Sequence, residues 1–152
     1  MILHNKGNTK ILDEIKEIAL AELTTKQCKF LEEVEKLIKL NGGSDIQAAV
    51  VYFMPLIKES KLNIDQVYSH FGDDTAGLVF NSSLIINQDD TEVILTEVGL
   101  NSIETKLIAS AWHYASMDAG IITGKQFIEK LIDLYGQNKI TYDFSKAMQE
   151  FI

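Results

Sequence analysis

The chain has 152 residues, a net charge of −8 and 46% hydrophobic side chains, which suits one globular domain with a proper core. All fourteen basic residues are lysine, so the guanidinium fork that grips phosphate or carboxylate at two points is absent. A strongly acidic chain without a basic face speaks against nucleic acid as a partner, and simple solubility accounts for the acidity.

The elements follow in order. Asn8 opens a helix whose Ile11, Ile15, Ile18 and Ala19 share one face. Thr24 with Gln27 forms a capping box, and Phe30, Val34, Leu37 and Ile38 give a second apolar stripe that Asn41-Gly42-Gly43 ends. Ser44 with Gln47 caps a third helix, apolar nearly all round from Ala48 to Phe53, which places it in the middle of a bundle. Pro55, the one proline, is expected to kink or end that helix.

Asn63 with Gln66 caps a short helix that Gly72 stops. Asp73 or Asp74 caps the next, with Ala76, Val79, Phe80 and Ser83 along it. The stretch from Thr91 to Val98 fits a helix or a short strand and is read as a helix. Asn101 with Glu104 caps a long helix to Met117. Thr123 with Gln126 starts another, and Tyr142 to Phe151 forms the last. Five capping boxes and no hairpin signal predict an all-α bundle, each cap contributing about 1 kcal/mol. No repeat or linker interrupts residues 1–152, which are read as a single domain.

One cysteine, Cys28, excludes an internal disulfide and suits a reducing compartment. Met1-Ile2-Leu3-His4 is too short for the apolar core of a secretion signal. No apolar run approaches the ~20 residues of a membrane span. The expectation is a cytoplasmic protein without membrane contact.

Few side chains point to chemistry. His4, His70 and His113 show no metal-ligand spacing. His70 is expected at a helix C-terminus, where partial positive charge is favourable. Cys28 has no visible base beside it and reads as a packed thiol. Asp73-Asp74 and Asp89-Asp90 lack the twelve-residue loop of a calcium site. Gly42-Gly43 is not followed by the Gly-Lys-Ser/Thr of a phosphate loop. The Lys–Glu run over residues 32–39 reads as a solvated face with local ion pairs, each a few tenths of a kcal/mol.

The order and spacing of the central pieces carry more. An apolar helix runs into Met54-Pro55-Leu56-Ile57-Lys58-Glu59-Ser60, a short helix follows from Asn63, then Phe71-Gly72 and another apolar helix. This arrangement resembles the HD-domain hydrolases of the RelA/SpoT group, especially the small stand-alone alarmone hydrolases. Counting back from Phe71-Gly72 without a gap, Met54-Pro55 stands where that family has His-Asp, and Lys58-Glu59 where it has Glu-Asp. A second patch, Ser102 to Trp112, is similar to the family's Ser-x-Glu-Ala-Lys-Leu-x-Lys-x-Ala-Asp, with Trp112 in place of the last metal-binding aspartate. Phe30-Leu31-Glu32-Glu33 resembles the family's Tyr-Ile-x-His, which puts Glu33 at the first histidine. The resemblance spans roughly residues 8–137.

The resemblance implies an HD-like helical bundle of about seven to eight helices whose metal site has been lost. Two histidines and two aspartates hold the family's transition-metal ion, which makes a nucleophile from water. Methionine sulfur is a poor ligand for such an ion, and proline and tryptophan offer none. Lys58 replaces an acid where the hydrolases activate water. No catalytic residue, metal ligand or cofactor is therefore assigned. Met54 and Trp112 are expected to fill the vacated volume, each contributing roughly 1.5–3 kcal/mol on full burial. The expectation is a catalytically inactive regulatory, binding or scaffold module, its partner an unknown protein or a guanine nucleotide, with self-association as a further reading. The alternative is a divergent pyrophosphohydrolase that uses manganese.

Overall fold

The computed structural model describes residues 11–86 and 103–118. Among them the regular elements are all helical: α1 Ile11–Glu22, α2 Thr25–Leu40, α3 Asp45–Lys58, α4 Ile64–Ile86 and α5 Ile103–Asp118. The all-α expectation holds for these residues. The count of seven to eight helices rests in part on 91–98, on the helix from Thr123 and on the last helix from Tyr142, which lie outside the described residues.

Local chemistry explains where the helices begin. Gln27 N–H donates to Thr24 Oγ1 at 3.1 Å while Thr24 N–H donates to Gln27 Oε1 at 2.9 Å. Ser44 and Gln47 exchange the same pair of bonds at 3.1 and 2.9 Å, and Asn63 and Gln66 at 2.9 Å each. Each box satisfies two amides that the first helical turn would otherwise leave without a partner. The boxes expected at Asn101 and Thr123 lie outside the described residues.

The helix ends share one device. At the end of α2, Gly43 N–H donates to Ile38 O at 2.8 Å and Gly42 N–H to Lys39 O at 3.1 Å, with Gly42 at φ 81°. This 6→1 and 5→2 pair is a Schellman ending, which places the first residue past the cap in the left-handed region. Gly43 is needed for another reason: an added Cβ would stand 2.3 Å from Ile38 Cγ2 and 2.8 Å from Ile38 O. The end of α3 repeats the pattern. Ser60 N–H donates to Ile57 O at 3.0 Å and Lys61 N–H to Leu56 O at 2.8 Å. Here the left-handed position, φ 59°, is occupied by Ser60, whose Cβ makes that conformation costly.

Two helix interruptions differ from simple expectation. Pro55 does not end α3, which runs on to Lys58. So near the C-terminus the missing N–H costs one bond, and the carbonyls of the last turn are taken by the Schellman amides. Gly72 does break its helix: at φ 88° and ψ 176° it takes a conformation essentially closed to other residues. The chain returns at once to helix, so the two expected helices form one bent element. Phe71 anchors the bend against Phe53, ring centroids 5.4 Å apart and edge-on.

Packing follows from the stripes. Helices α2 and α3 form an antiparallel hairpin across the Asn41–Ser44 turn, strapped by an ion pair between Lys39 and Asp45. Helix α1 packs chiefly on α3, while α4 and α5 close the other sides. The largest fully buried side chains are Tyr52, Phe53, Ile15, Leu31, Ile38, Leu56 and Ile108. From Gln47 to Met54 every residue of α3 is buried, as its all-round apolar pattern requires.

Candidate functional site

Three hydrogen bonds set the register of the bundle. Gln27 Nε2 donates to Glu59 Oε2 at 2.8 Å, tying the first turn of α2 to the end of α3. Gln47 Nε2 donates to the Glu104 carbonyl at 3.2 Å, tying the first turns of α3 and α5 together. Tyr52 O–H donates to Glu35 Oε1 at 2.6 Å, linking the middles of α3 and α2. Helix α5 therefore starts beside the start of α3.

Trp112 rests on Phe30. Their rings meet edge-to-face, centroids 4.9 Å apart and planes at 85°. Such a pair contributes about 0.5–1.5 kcal/mol beyond its buried area. Phe30 lies one turn beyond Gln27, so along the antiparallel hairpin it comes to about the height of Leu56 and Ile57. Glu33 sits one turn further along α2 and is half-buried. Met54 is buried and Pro55 half-buried. Lys58 and Glu59 are exposed, and Glu59 is occupied with Gln27.

The six singled-out residues thus fall on α2, the second half of α3 and the middle of α5. A divalent transition metal needs imidazole or carboxylate donors aimed at one point. Met54, Pro55 and Trp112 bring none, and the rings of Phe30 and Trp112 meet each other directly. These side chains do not fit the ion that the resemblance implies. Among the described residues no group of three or more His, Cys, Asp and Glu side chains comes together in a metal-binding arrangement.

The densest polar constellation lies elsewhere. Glu35 Oε1 accepts from Tyr52 and pairs with Lys16 Nζ at 3.1 Å. The expectation that the Lys–Glu run over residues 32–39 is a solvated face with local ion pairs is corrected at Glu35, whose side chain is only 17% exposed. Its partners lie on α1 and α3, far along the chain, so no local spacing marks them. Burial, reinforced by the bond to Glu35 and its charge, pushes the Tyr52 phenol well above the ordinary range. A phenol so held is a fixed donor, and the three side chains tie α1 to the hairpin.

Cys28 is buried, its Sγ 3.6 Å from the Ala19 carbonyl. Burial raises the thiol, and Glu32 raises it further. It stays protonated and matches the packed-thiol expectation. His70 Nδ1 lies 3.0 Å from the Gln66 carbonyl, one turn before the bend at Gly72, as a residue near a helix C-terminus does. His113 is 1% exposed, and burial lowers it to about 4, so the imidazole is neutral near pH 7.

The contact that spacing did not reveal is the one made by Phe30. It stands in the segment quoted for the Glu33 match, yet its place against Trp112 depends on how α2 and α5 meet.

No protein-family model, no curated protein and no solved structure matches this chain. What the described residues define is a class, an all-α bundle with α3 and α5 as its most buried helices. None of these helices is long and apolar enough to cross a membrane.

Proposed function

We propose that this chain is a catalytically inactive HD-like module, in which a former metal cleft has become packed seam and the remaining role is regulatory, binding or scaffolding. The observation that carries the reading is the edge-to-face contact of Phe30 with Trp112, the residue that stands at the position of the family's last metal-binding aspartate. In the resemblance Met54, Pro55 and Trp112 stand at metal-binding positions, with Glu33 at the first histidine. Met54, Pro55 and Trp112 present carbon and sulfur, which leaves Glu33 as the one carboxylate among these four positions, too few donors for a catalytic divalent ion. The ligand chemistry left to such a module is a guanine nucleotide or a protein surface.

The test is incubation of the purified chain with manganese and guanosine tetraphosphate, following pyrophosphate release. The reading expects no release above the protein-free control. Release proportional to protein and abolished by chelation overturns it in favour of a divergent pyrophosphohydrolase. Calorimetry with guanine nucleotides then separates a retained nucleotide pocket from a purely protein-binding module.

A further inference from the structure

We draw no further inference here: the strongest candidate, the exposed apolar strip of Phe80 and Leu84 along the second half of α4, is an unpartnered helix face, and nothing in the structure shows what covers it.

Discussion

Helices α3 and α5 are both buried on nearly every side, and they reach that state by opposite chemistry. Helix α3 buries Val50, Val51, Tyr52, Phe53, Met54 and Leu56, which are large and mostly apolar. Helix α5 also buries Leu107 and Ile108, but most of its buried residues are small or polar: Ala109, Ala111, Ala115, Thr105, Ser110, His113 and Ser116. Large side chains gain stability by area removed from water. Small ones gain it by letting neighbouring elements come close, provided their polar atoms are satisfied. Ser110 shows how: its hydroxyl donates to the Lys106 carbonyl one turn back, at 2.8 Å. Such a bond inside its own helix lets a polar residue be buried at little cost.

The contrast can be broken first where it is steepest. Phe53 is fully buried in α3 and meets Phe71 edge-on, so Phe53→Ala leaves a large void. The expected loss is about 3–5 kcal/mol, read from the urea midpoint. A loss under about 1 kcal/mol would mean that α3 is not the packed centre.

The second break is by acid, in α5. An unfolded histidine titrates near its ordinary 6.5, whereas buried His113 is lowered to about 4. Between those values the unfolded chain binds the extra proton, so stability falls as pH drops. His113 contributes in full above about pH 6.5 and has lost that contribution by about pH 4, with on the order of 2 kcal/mol gone at pH 5. The His113→Gln variant should show a shallower decline between pH 7 and pH 5. Identical slopes for the two proteins would remove His113 from the account.

Overpacking tests the close approach around α5. Ala111 has no exposed surface, so Ala111→Leu should cost about 1–3 kcal/mol, although leucine is the more apolar residue. A neutral or stabilising outcome would show room beside the helix. The smallest expected effect sharpens the view of α3 and has the opposite sign. Ser60 holds the left-handed position at the end of α3, with φ 59°. Ser60→Gly should stabilise by about 1 kcal/mol, seen as a rise in urea midpoint at unchanged slope.

The same contrast explains what could be read from the chain alone. Caps at Thr24, Ser44 and Asn63 were legible because both partners lie within one turn. The burial of α3 was legible because its side chains are apolar in every direction. The burial of Thr105, Ser110 and Ser116 was not, since nothing in their composition separates a satisfied hydroxyl from a solvated one. Glu35 was misplaced on the solvated face because Lys16 and Tyr52 reach it from other helices. At the candidate site, the positions of Met54, Pro55 and Trp112 came from a spacing pattern, whereas the contact of Trp112 with Phe30 is set by how α2 and α5 meet in space.

Trp112 is the chain's one tryptophan, so its fluorescence reports on the candidate site alone. Manganese is paramagnetic and quenches a fluorophore beside which it binds. Titrating the protein with manganese at moderate salt tests directly the proposal that no metal ion is held beside Trp112. That proposal predicts only weak, linear, collisional quenching that follows the exposure of a half-buried indole. Quenching that saturates at micromolar manganese and reverses with chelator would place a bound ion beside Trp112 and contradict the account.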